Sequence, residues 1–152
     1  IKSSPSGLVL AEIHLIDMRY PVIFEHDETG WAVFFPDIPE AMTGGETRAE
    51  ALEMAQDALV TAFDFYFDDR REIPAPSADG EAFVEVPSSV AAKVLLLNRL
   101  VSTNTSNAEL ARMINTRPQE VQRIVSLGHS TKIDTIQKAL AALGQHMEIV
   151  VR

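Results

Sequence analysis

Carboxylates are the first side chains in this sequence to suggest chemistry. Asp37, Glu40, Asp64, Asp68 and Asp69 are of the type that holds magnesium for phosphodiester cleavage. Three of them stand close together on one predicted helix, but closeness does not make a ligand set, and a solvated acidic face uses the same residues. His14 and His26 are single histidines without ligand spacing. Gly44-Gly45 lacks the glycine spacing and the following Lys-Ser/Thr of a phosphate loop. The chain has no cysteine, which excludes thiolate metal sites, cysteine nucleophiles and disulfides. No catalytic residue, metal ligand set or cofactor motif emerges, so the expectation is a protein that is not an enzyme.

A second chemistry lies between Arg117 and Lys132. Arg117, Gln119, Gln122 and Arg123 are long hydrogen-bond donors suited to base edges and phosphates, with His129 and Lys132 following in a loop placed for phosphate. Their spacing asks for two short helices. Ser106-Asn107-Ala108-Glu109 is a capping box opening the first, with Leu110, Ala111 and Ile114 turned inward. Asn115 fits a turn position that needs positive φ, and Pro118 suits the first turn of the next helix. Val121 and Ile124 anchor that helix from below. The small Ala111 stands where two helices touch, as a helix-turn-helix requires. A generic helical hairpin would share the apolar spacing, and the polar outer face of the second helix favours DNA reading. Glu120 suits cytosine or plain solvent equally.

These groups sit on a chain divided by charge. The 152 residues carry a net −9, but residues 1–87 hold five basic against 18 acidic side chains, and residues 88–152 hold eight against four. A domain at −13 followed by one at +4 points to two modules with different partners. The turn-rich Pro74-Ala75-Pro76-Ser77-Ala78-Asp79-Gly80 and the stop at Pro87 mark the boundary. The expected division is an extension over 1–17, an acidic domain over 18–87 and a DNA-binding domain over 88–152. No apolar run approaches the ~20 residues that cross a bilayer, so no membrane partner is expected.

The acidic half reads β-β-β-α-β. Met18 to Glu25 alternates as a strand, the turn around Asp27 and Glu28 leads into an aromatic strand from Trp31, and a third short strand lies near Ala41 to Thr43. Thr47 and Glu50 form a capping box ahead of a helix whose apolar face runs Leu52, Ala55, Leu59, Ala62 and Tyr66. Ala82 to Val86 is a fourth strand. In the basic half, Ser88 and Ser89 are expected to cap a helix to about Val101. Thr131 to Leu143 is the last helix, stopped by Gly144, and Met147 to Val151 is expected as a C-terminal strand. The fold class is α+β, a small sheet domain followed by an all-helical domain with that terminal strand.

The stretch Pro36-Asp37-Ile38-Pro39-Glu40-Ala41-Met42-Thr43-Gly44-Gly45-Glu46-Thr47-Arg48-Ala49-Glu50-Ala51-Leu52 follows a Tyr20-Pro21-Val22 strand and a Trp31 hairpin. With Phe65-Tyr66-Phe67 and Val84-Glu85-Val86-Pro87, it resembles the HicB antitoxin family from Met18 to Arg152. The tail is similar to the branch with a helix-turn-helix, as opposed to the ribbon-helix-helix branch. The resemblance implies a truncated, inactive ribonuclease-H-like domain that binds a HicA-like, mRNA-cleaving toxin, and repression of the chain's own operon. No contact residues carry over; the acidic turn Asp27-Glu28, with Asp37 and Glu40, is the first choice for toxin binding. The expected partners are that toxin and operator DNA, bound by a homodimer or homotetramer in the cytoplasm. Two readings stand beside this one: a one-component regulator whose first domain senses a metabolite, and a metal-dependent nuclease.

Overall fold

Tyr20, Val22 and Phe24 turn one way and Pro21, Ile23 and Glu25 the other, so strand β1 must have two different faces. In the computed structural model, which describes residues 18–151, that alternation organises the first half of the chain. β1 (Arg19–Asp27), β2 (Gly30–Phe34), β3 (Met42–Gly45) and β4 (Ala82–Glu85) form one antiparallel sheet in the order β3-β2-β1-β4. Helix α1 (Arg48–Asp69) covers one face. Its Ala51, Ala55, Leu59, Ala62, Phe63, Tyr66 and Phe67 are buried against Tyr20, Val22, Val33 and Val84. Tyr20 meets Phe63 edge to face at 5.7 Å and donates its hydroxyl proton to the Pro74 carbonyl at 2.7 Å.

The second half is helical: α2 (Ser88–Ser102), α3 (Asn107–Met113), α4 (Pro118–Ile124) and α5 (Ile133–Ala142). α2 is apolar nearly all round because it has two cores to fill. Ala91, Val94 and Leu97 enter the core of the sheet, and Ala92, Leu96 and Leu100 enter the core formed by α3, α4 and α5. The charge boundary at Pro87 therefore falls just ahead of a helix that both cores share. Asn98 ties the preceding segment to it, accepting from the Ile73 amide at 2.8 Å and donating to the Ile73 carbonyl at 3.1 Å.

Three local expectations change. Thr47 caps α1 by accepting from the Glu50 amide at 3.1 Å, but Glu50 returns its bond to Glu46 rather than Thr47. The chain leaves β3 very close to α1, with room only for a glycine at position 45, and this presents the Glu46 amide to the carboxylate. Ser88 and Ser89 do not cap α2; they lie inside it, and Pro87 holds the cap position without a side-chain bond. The strand expected over Met147–Val151 does not form. Met147 is buried in the helical core and its carbonyl accepts from Gln137 at 3.1 Å, while Ile149, Val150 and Val151 stay exposed. A strand needs a sheet edge for its amides and carbonyls, and the elements around this segment are helices. The extension over 1–17, with His14, lies outside the described residues.

Candidate functional site

α3 and α4 are held by the residues that the spacing singled out. Ser106 and Glu109 complete a reciprocal capping box at 3.1 and 2.9 Å. Asn115 takes φ 57° in the turn, a conformation that asparagine tolerates better than most residues. Leu110, Ala111, Ile114, Val121 and Ile124 are all buried together. Ala111, 1% exposed, leaves no room for a larger side chain.

Burying that face leaves the polar one outward. Gln119, Gln122 and Arg123 are exposed on α4, and with His129 they line one groove of about 590 Å³. The opposite wall is the end of α1, with Phe67, Asp68 and Arg70. Arg70, itself at φ 55°, donates to Asn107 Oδ1 at 2.9 Å and to the Thr105 carbonyl, joining α1 to the start of α3. Arg117 and Lys132 do not join the groove. Each is exposed at the cap position of its own helix, Arg117 on α4 and Lys132 on α5.

Lys93 was not among the sequence candidates, yet it positions α4. Only 4% exposed, it donates from Nζ to the carbonyls of Ser126 at 2.6 Å, His129 at 2.5 Å and Arg123 at 3.4 Å. It thus ties the loop after α4 to the last turn of that helix, where carbonyls lack helical partners and the helix dipole favours a cation. Burial holds its pKa below the ordinary lysine value. A single lysine within Ala91-Ala92-Lys93-Val94-Leu95-Leu96 was the available signal.

The four acidic candidates fall into two places. Asp27 and Glu28 form the β1–β2 turn, where the Thr29 hydroxyl (2.6 Å) and amide (2.8 Å) bond Asp27 and lower its pKa. Asp37 and Glu40 lie beyond the other end of β2. Asp37 accepts from the Ser77 amide at 2.8 Å and hydroxyl at 2.5 Å. Glu40 accepts from the Tyr66 hydroxyl at 2.6 Å and pairs with Arg71 at 3.5 Å, and the hydroxyl is the main cause of its lowered pKa. Both carboxylates are engaged by donors of their own chain. The free acidic surface is the solvent face of α1, with Glu53, Asp57, Asp64 and Asp68 exposed; Asp64 and Asp68 were read in sequence as a solvated acidic face and not chosen for toxin binding. There Asp64 titrates above the ordinary aspartate value, through partial burial and then the neighbouring Asp68 charge. Among the described residues, no three His, Asp or Glu side chains are gathered as a metal ion would need. No helix there is long and apolar enough to cross a membrane.

Residues 19–95 match the model of a HicB-like antitoxin of bacterial toxin–antitoxin systems. The chain belongs to that antitoxin family. The match runs past Pro87 and ends inside the shared helix α2. Antitoxin HicB 2 of Photorhabdus laumondii is 78% identical over 134 residues, covering 88% of this chain and 96% of that protein. Antitoxin HicB of Escherichia coli K12 is 52% identical over 137 residues, 88% of this chain and 99% of its own length. Antitoxin HicB of Pseudomonas fluorescens is 39% identical over 144 residues, 88% and 98% respectively. The family is one of antitoxins and not of enzymes, and membership implies a toxin as partner.

Proposed function

We propose that this antitoxin neutralises a HicA-like, mRNA-cleaving toxin through its acidic sheet domain, residues 18–87. Residues 88–152 repress its own operon by binding operator DNA as a helix-turn-helix. The observation that carries this reading is the separation of charge onto two surfaces. Glu53, Asp57 and Asp64 stand on the outer face of α1 and Arg and Gln side chains on the outer face of α4, with Asp68 at the end of α1 bordering the α4 groove. The acidic face attracts a basic protein whose own substrate is a polyanion and blocks its RNA surface. α4 presents Gln119, Gln122 and Arg123 to base edges, and Arg117, His129 and Lys132 to phosphates. Because each half-site supplies few contacts, repression uses an even-numbered homo-oligomer on half-sites about one helical turn apart. The protein acts in the cytoplasm and needs no cofactor.

Co-expression with a small basic reading frame, where one lies beside the gene, tests the first part. Growth rescue and co-purification are expected; toxicity that persists with both proteins soluble would refute it. Binding of the full chain to the promoter fragment of its own gene, and not to scrambled DNA, tests the second part.

A further inference from the structure

The two edge strands of the sheet, β3 and β4, are finished differently. The Val86 amide donates to the Met18 carbonyl at 3.0 Å, so even-numbered residues of β1 bond β4 and odd-numbered ones bond β2. Carried across β2, the same alternation bonds Val33 to Thr43 and Trp31 to Gly45. On β4 it turns the backbone groups of Phe83 and Glu85 outward, and Gln56 of α1 reaches round to donate to the Glu85 carbonyl at 2.8 Å. On β3 it turns outward the amides and carbonyls of Met42 and Gly44, and among the described residues these have no partner. The next amide on that side, of Glu46, is held by the Glu50 carboxylate at 3.2 Å, which ends the open ladder at Gly44.

The helix beside this border is exposed and apolar along one flank. Gly45 lies so close to Ala51 and Glu50 that a Cβ there would have no room, so α1 begins directly over β3. With about 3.6 residues per turn, Gln56 on the β4 side sets Met54, Ala58, Thr61 and Phe65 on the opposite flank, toward β3. Met54 is 49% and Phe65 53% exposed, and Met42 at the head of β3 is 63% exposed. Glu46, Glu50, Glu53 and Asp57 are exposed beside them, while Arg48, the one cation in that stretch, lies over the Phe24 ring at 4.1 Å. An unpaired edge is a template for another chain, and edges that must stay free are guarded by charge, proline or a covering element. β4 has its cover in Gln56, whereas β3 offers only a methionine, a threonine and two glycines.

We propose that the toxin adds a strand to the free edge of β3, with side chains on one face against Met54 of α1 and on the other against Met42. That strand lies about 4.8 Å beyond β3, its main-chain bonds giving affinity and its alternate side chains specificity. The partner it fits is a basic protein with a short, extended apolar segment flanked by Lys or Arg, which the carboxylates between positions 46 and 57 attract. The proposal rests on the toxin-neutralising reading above and adds where, and by which bonds, the toxin is held.

The test uses the full chain and a co-expressed HicA-like toxin. In the complex, the Met42 and Gly44 amides are expected to exchange with solvent at least tenfold more slowly than in the free chain. Those of Thr43 and Gly45, already bonded to β2, should change little. Met42→Pro removes one outward amide at the first residue of an edge strand, where proline is tolerated. It should raise the dissociation constant for the toxin at least tenfold, with an unchanged circular dichroism spectrum. Met54→Ser combined with Phe65→Ser should raise it similarly, whereas Met113→Ser, equally exposed on α3, should not. Unchanged exchange at positions 42 and 44 in a complex that does form overturns the proposal, whether or not Met42→Pro folds. So does a folded Met42→Pro variant that binds the toxin as tightly as the native chain. Protection of both amides already in the free chain, fading on dilution, gives the edge to a second copy and overturns the proposal too. If the native chain captures no toxin, the neutralising reading itself fails and takes this proposal with it.

Discussion

Arg123 and Lys132 both present a positive charge near α4, yet different consequences follow from their positions. Arg123 faces outward on the helix, so Arg123→Ala is expected to weaken binding to the cognate promoter by about 1–3 kcal/mol and to relax preference at one base position. Lys132, at the cap of α5, should weaken every sequence alike when replaced by Ala and lower the salt slope by about one unit. Titrations on promoter and scrambled duplexes at several salt concentrations separate the two. Equal losses on both duplexes for Arg123→Ala would make it a backbone contact. Glu40 gives a pH prediction. Its folded pKa lies below the ordinary glutamate value, mainly through the Tyr66 hydroxyl and with a smaller contribution from Arg71. Its stabilisation is therefore full above that ordinary value and is lost as the pH falls through the depressed one. In urea titrations from pH 7 to pH 3, Glu40→Gln should lower the neutral plateau slightly and leave the acid end little changed, so that the acid limb flattens. A wild-type slope in the variant would assign acid sensitivity to other carboxylates.

At the scale of elements, Ala111 and Lys93 fix α4 from two sides. Ala111→Leu forces a larger side chain into the α3–α4 contact and is expected to cost roughly 1–3 kcal/mol. Thermal unfolding reads that loss, and promoter binding should fall while toxin capture stays. Lys93→Met keeps the stem of the side chain but leaves three carbonyls, one in the last turn of α4 and two in the loop after it, without their donor, at a cost of roughly 2–3 kcal/mol. Faster amide exchange should then be confined to residues 121–129. The contrast between these residues shows what was legible in the sequence. Asn115, Ala111 and the Ser106–Glu109 box act within a few positions of themselves, so spacing alone revealed them. Lys93 bonds carbonyls 30 to 36 residues away, and Asp37 is engaged by Ser77, 40 residues away. Such bonds exist only once the chain has folded, which is why Asp37 read as free. The strand expected over Met147–Val151 failed for a related reason: its β-branched run of Ile149, Val150 and Val151 suits a strand, but pairing depends on a neighbour that local sequence does not encode.

For the whole molecule, the decisive feature is the double burial along α2. A fragment of residues 18–87 lacks Ala91, Val94 and Leu97, all buried in the core of the sheet. Losing Val94 and Leu97 alone removes roughly 3–6 kcal/mol of burial, much of the ~5–15 kcal/mol by which a small domain is stable. The fragment 18–102 is therefore expected to unfold cooperatively in urea, and 18–87 at a much lower midpoint or with no transition. Equal midpoints would mean that the sheet domain is complete without the helix. Charge composition changes sign at Pro87, but packing places no seam there, because α2 fills both cores. A lineage that exchanged its helical half for another kind could not splice at the proline-rich segment and keep a sound sheet. The incoming half would have to bring a helix already moulded to the old one, with Ala91, Val94 and Leu97 or equivalents on the side facing away from its own core. The two halves are in that sense inherited together, and variation in the helical half is channelled into the outer residues of α4, which touch neither core.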